Sequence, residues 1–63
     1  MPDYIFENHG SIWLCRPTSQ FASAWLSEHV EAAGWLGDAL AVEPRYVESL
    51  AASLEDDGFS TEL

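Results

Sequence analysis

Apolar residues along this chain follow two rhythms, alternating in short runs and recurring at helical spacing in two longer ones. Tyr4-Ile5-Phe6-Glu7 is rich in strand-forming residues and follows Pro2, which predicts a first strand. Asn8-His9-Gly10 carries turn chemistry, with Gly10 free to adopt a positive φ. Ser11-Ile12-Trp13-Leu14-Cys15-Arg16 reads as a second strand, so the two form an antiparallel hairpin that Pro17 ends. Thr18 or Ser19 is placed to cap a helix. That helix is predicted to run through Ala33, with Phe21, Ala22, Trp25, Leu26 and Val30 on one side and Ser23, Ser27, Glu28 and Glu31 opposite. Gly34 is the natural stop.

Trp35-Leu36-Gly37-Asp38 reads as a connector anchored by its indole, followed by a short third strand over Ala39-Leu40-Ala41-Val42-Glu43. Pro44 suits the first turn of a second helix, in which Val47, Leu50, Ala51 and Leu54 make an i, i+3, i+4, i+7 stripe. Gly58 ends it, and Phe59-Ser60-Thr61-Glu62-Leu63 alternates as a last strand. The expected fold is therefore α+β in the order β-β-α-β-α-β: a four-stranded mixed sheet with two helices packed on one face, residues 1–63 forming one compact acidic domain. A domain this small buries only about 60% of the surface of its unfolded chain. Eight aromatic rings, each able to remove roughly 150–250 Å² from water, supply the bulk that a core needs.

Charge changes the picture most. Eleven carboxylates face two arginines, Arg16 and Arg45, for a formal net charge of −9, and lysine is missing altogether. Such an excess works against the compact state, and it exceeds the magnitude of about 2–8 that serves solubility in a small domain. Disorder is the first alternative, but disordered acidic chains are poor in aromatic and β-branched residues, whereas 48% of this chain is hydrophobic and periodic. Nucleic-acid backbones and acidic membrane surfaces would repel the protein, and no apolar stretch approaches the roughly 20 residues of a membrane span. Direct nucleic-acid binding and membrane insertion are excluded on these grounds. The single cysteine, Cys15, allows no internal disulfide, and no signal peptide is evident, so a cytoplasmic location is expected.

Candidate chemistry is sparse. His9, Cys15 and His29 lack the paired spacing of a metal site, and the Glu55-Asp56-Asp57 run lacks the alternating acids and central glycine of a calcium loop. His29 is better read as a packed histidine with one hydrogen bond, and His9 as a turn residue. Cys15 lies in a strand of an acidic protein, a setting that raises a thiol pKa instead of activating it. No catalytic residue, metal ligand or cofactor is assigned, and the protein is expected not to be an enzyme.

The acids themselves are the candidate site. With Phe6, Leu40 and Val42 turned toward the helices, Glu7 and Glu43 face outward by strand alternation, and Glu62 joins them. Glu28 and Glu31 occupy one outer helix flank, and Glu48, Glu55, Asp56 and Asp57 lie along the second helix. Duplex DNA carries about one negative charge per 1.7 Å of axis, and proteins that bind it present arrays of Lys and Arg. A rigid protein studded with carboxylates suits that same basic surface, and exposed aromatics or Tyr46 beside the charges would anchor the contact.

The stretches Phe6-Glu7-Asn8-His9-Gly10-Ser11-Ile12, Trp25-Leu26-Ser27-Glu28-His29-Val30 and Val42-Glu43-Pro44-Arg45-Tyr46-Val47 resemble those of small proteins of phages and other bacterial mobile elements. Size and acidity are similar to those of anti-CRISPR proteins, several of which are DNA mimics. The resemblance implies a protein inhibitor in the bacterial host cell that covers the DNA-reading surface of a type I, Cascade-type interference complex. It transfers no functional residue to this chain. Two alternatives stay open: an anti-restriction DNA mimic, and a structural or regulatory accessory of a mobile element acting as a homodimer instead of a monomer.

Overall fold

The computed structural model describes residues 1–30 and 34–63. Strands β1 (Tyr4–Asn8) and β2 (Trp13–Pro17) form the expected antiparallel hairpin, with Phe6 opposite Cys15 and Glu7 opposite Leu14. Gly10 turns the chain at φ 87°, where its N–H meets the Asn8 side-chain oxygen at 2.8 Å, a geometry that a side chain at position 10 would strain. Helix α1 (Gln20–His29) starts at Ser19, whose hydroxyl accepts the Ala22 N–H at 3.1 Å.

Helix α1 ends earlier than the expected Ala33. Val30 is extended (φ −117°, ψ 115°) and packs its β-branched side chain against the core, so the helical path stops at His29. Glu31 and the rest of the predicted helix end lie outside the described residues. Gly34 is a sheet neighbour and not a helix stop: its carbonyl accepts the Ala41 N–H at 2.8 Å.

That contact leads into a strand the sequence did not reveal. Trp35 and Leu36 form β3 (Trp35–Leu36), antiparallel to β4 (Ala39–Val42), with Trp35 opposite Leu40. Two residues are too few to display a period, so this piece reads as a connector until its partner is known. A 3₁₀ turn at Pro44–Tyr46 leads into α2 (Val47–Asp56), and β5 (Thr61–Glu62) closes the order. The fold is α+β with a five-stranded mixed sheet in the order β3-β4-β2-β1-β5, all pairs antiparallel except β1 with β5.

Both helices lie on one face of that sheet. Tyr4, Phe6, Cys15, Leu40 and Val42 from the strands meet Ala22 and Leu26 of α1 and Val47, Ala51 and Leu54 of α2 in one buried cluster. The Tyr4 hydroxyl donates to the Ala22 carbonyl at 2.8 Å, tying the first strand to α1 across 18 residues. Strand alternation turns Ile5, Glu7, Leu14, Arg16, Ala41 and Glu62 to the opposite, open face. No helix among the described residues is long and apolar enough to cross a membrane.

Candidate interaction surface

The two arginines decide how the acids divide. Arg16 stands on the open face and donates from Nε and Nη2 to both carboxylate oxygens of Glu7, at 3.2 and 3.1 Å, and from Nη1 to Asp38 at 3.1 Å. His9 approaches the same Glu7 carboxylate at 3.3 Å. The hydrogen bonds from Arg16, then from His9, hold the Glu7 carboxyl below its ordinary range. Arg45 donates to Glu43 at 2.9 Å and lies over the Tyr46 ring, 4.9 Å from its centroid. Of the expected open-face trio, Glu7 and Glu43 are thus locally neutralised, and Glu62 alone keeps a charge without an ion-pair partner among the described residues. Strand pairing puts Glu7 and Glu62 on the open face, whereas Glu43 lies past the end of β4 and lines the groove beside α2. Spacing could not show that Arg16, nine residues from Glu7, returns beside it through the hairpin.

A second group of acids collects where the chain ends. Asp3 precedes β1 and accepts the Ser60 N–H at 2.9 Å, while the Asp3 N–H donates to the Ser60 carbonyl, also at 2.9 Å. Thr61 donates its hydroxyl to Glu55 at 2.7 Å, which orients that carboxylate without neutralising it. Glu62 sits beside Ile5 in the parallel β1–β5 pair. Asp56 is the last residue of α2, and Asp57 caps it. Asp3, Glu55, Asp56, Asp57 and Glu62 therefore belong to the end of α2, to the edge strand β5 and to the segment held against it. Glu62 is turned to the open face and Glu55 is held by Thr61 on the other, and none of the five has an ion-pair partner among the described residues. Asp3 is not among the acids that strand and helix spacing single out; the pairing of β1 with β5 and the hydrogen bonds to Ser60 bring it there.

The remaining predicted acids lie elsewhere. Glu28 is exposed on α1, and Glu48 is exposed in the first turn of α2, where a negative charge complements the helix dipole. Asp56 and Asp57 sit at the opposite helix end, where the same dipole disfavours them.

No family model, curated protein or solved structure matches the chain.

Near the end of α2 lies a group of rings. Gly58, at φ 95°, lets the chain reverse after α2: its N–H donates to the Glu55 carbonyl at 3.0 Å, and the Phe59 N–H donates to Leu54 at 3.0 Å. This closure aims Phe59 under α1, where its ring centroid lies 5.3 Å from Tyr4, 5.2 Å from Trp25 and 6.0 Å from Phe21. Trp25 in turn stacks on His29 at 4.1 Å, and His29 Nδ1 reaches the Trp25 carbonyl at 2.9 Å. Phe21, assigned by periodicity to the buried side, is 71% exposed, because Phe59 props it at the rim while Ala22 and Leu26 point into the core.

Other surfaces offer less. A groove of about 400 Å³ beside α2 is lined mainly by Val30, Leu40, Val42, Tyr46 and Leu50, and its one acid, Glu43, is held by Arg45. Among the described residues, no three His, Cys, Asp or Glu side chains converge on a point where a metal ion would bind. Burial pushes the Cys15 thiol up to about 12, far from the range of a nucleophile at neutral pH.

Proposed function

We propose that the protein is a non-catalytic inhibitor that occupies the Lys/Arg-rich DNA-binding surface of another protein, the target favoured by its resemblance being a type I interference complex. The observation that carries this reading is the group Asp3, Glu55, Asp56, Asp57 and Glu62 around the end of α2 and β5, five acids without an ion-pair partner among the described residues while both arginines are engaged with other carboxylates. A field of one sign on a rigid body raises the encounter rate with an oppositely charged cleft by roughly 10–10³-fold, and salt weakens it. Ordering costs are small because the acids ride on α2 and on a sheet edge held by backbone hydrogen bonds.

A competition experiment tests the proposal. Purified Cascade-type complex is mixed with labelled target duplex and increasing amounts of this protein. The expected result is displacement of the duplex, with an inhibition constant that weakens steeply as salt rises. A ternary complex in which duplex and protein are both tightly held on the DNA-reading surface would rule out mimicry. The same assay run on a restriction enzyme tells an anti-restriction target from an interference complex.

A further inference from the structure

Resting on the reading just given, we infer that the ring row Phe21–Trp25–His29, with Phe59 beneath it, is the docking place for an arginine side chain of the basic partner. Residues 21, 25 and 29 are spaced i, i+4, i+8, so they share one stripe of α1. Phe59 joins that stripe from below, through its contacts with Phe21 and Trp25. A ring as large as Phe21 left 71% exposed forfeits burial that a chain this small can ill spare, which argues for an occupant.

Charge selects the occupant. Glu28 lies one helical turn along from Trp25, and Asp57 is two residues from Phe59; both are exposed. A second copy of the chain would bring another net charge of −9 to the same place, whereas a basic surface relieves that repulsion. Among basic side chains, guanidinium is planar, weakly hydrated and able to stack on a ring while its N–H groups reach carboxylates. The protein already holds one guanidinium in this way: Arg45 lies over Tyr46 while its Nε donates to Glu43. The ring row offers exposed aromatic surface with Glu28 and Asp57 near in sequence, and the partner supplies the guanidinium.

The test compares nona-arginine and nona-lysine peptides as probes, by calorimetric titration of the wild type and of Phe21→Ala, at low salt. Wild type is expected to bind nona-arginine more tightly. Phe21→Ala is expected to reduce that preference by about two- to fivefold, the contribution of an exposed cation–π contact, while nona-lysine binding holds. Because Phe21 is exposed, the variant should fold, which circular dichroism checks, and Phe21→Tyr should restore the preference. An unchanged arginine-to-lysine ratio in Phe21→Ala would overturn the docking inference and leave the inhibitor reading standing. Failure of both peptides to bind wild type would instead count against the acidic surface as a whole. A wild-type dimer by light scattering that Phe21→Ala converts to monomer would assign the row to a second copy and overturn the inference.

Discussion

Arg16 grips Glu7 through two side-by-side hydrogen bonds, Nε to Oε2 at 3.2 Å and Nη2 to Oε1 at 3.1 Å, with Asp38 on its third nitrogen. Because one of only two arginines is spent on the open face, the charge of that face is largely settled inside the molecule, and free charge remains around the end of α2 and β5. Bidentate guanidinium–carboxylate geometry is directional as well as attractive, and it leaves one Arg16 nitrogen to reach Asp38 in the β3–β4 turn.

Replacing this cation reads out the arrangement. In Arg16→Gln the Glu7 carboxyl loses its largest stabiliser and is expected to titrate closer to its ordinary value, as carboxyl chemical shifts followed against pH would report. The sign for stability follows from linkage. A carboxyl whose folded pKa is depressed contributes stability above its unfolded pKa, and that contribution disappears as pH falls through the folded value. Wild type should therefore lose stability on acidification below the ordinary glutamate value of 4.5, and Arg16→Gln should lose less over the same window.

Tyr4→Phe removes the hydroxyl that spans from β1 to the Ala22 carbonyl, in a side chain that is fully buried. The expected cost is about 0.5–1.5 kcal/mol, the net worth of one such bond, and the melting temperature should fall by roughly 4–8 °C per kcal/mol lost. A thermal melt of the variant beside wild type measures it. No change would mean that the hydroxyl is equally well served by water.

Alkaline stability gives a separate check on the core. Burial raises the Tyr4 hydroxyl from 10.0 and the Cys15 thiol from 9.0, each to about 12. The unfolded chain releases these protons first, so their contribution is complete below pH 9 and is lost as pH rises from about 9 toward 12. Denaturation midpoints measured across that window should decline. At pH 8 the native Cys15 thiol should resist a thiol reagent, and labelling should follow the rate of unfolding.

These contrasts show what was legible in the chain alone. Long periodic segments came through: the stripe Val47, Leu50, Ala51, Leu54 became α2, and Phe6, Leu40 and Val42 turned inward as alternation requires. The pieces that failed depend on partners outside the segment itself. β3 exists because Trp35 and Leu36 find β4, and α1 stops at His29 because the core takes Val30. Site residues divide the same way. The acids of α2 were visible as a run, whereas the neutralisation of Glu7 and the arrival of Asp3 beside Ser60 are products of strand pairing. Phe21 shows the limit of periodicity, which assigns a residue to a stripe but not to its centre or its rim.

The end of α2 offers the sharpest separation of stability from binding. Asp56 and Asp57 stand at the negative end of the helix dipole, exposed, without an ion-pair partner among the described residues, and the carbonyls there already carry partial negative charge. Neutralising them removes a repulsion, so Asp56→Asn and Asp57→Asn should each stabilise the protein by about 0.3–1 kcal/mol at low salt. If the same charges serve a basic partner, the double variant should bind nona-lysine more weakly and with a shallower salt dependence, even as its melting temperature rises. Opposite movement of these two quantities marks residues kept for an encounter at the expense of the fold. A double variant that is more stable yet binds as wild type does would remove this corner from the interaction surface.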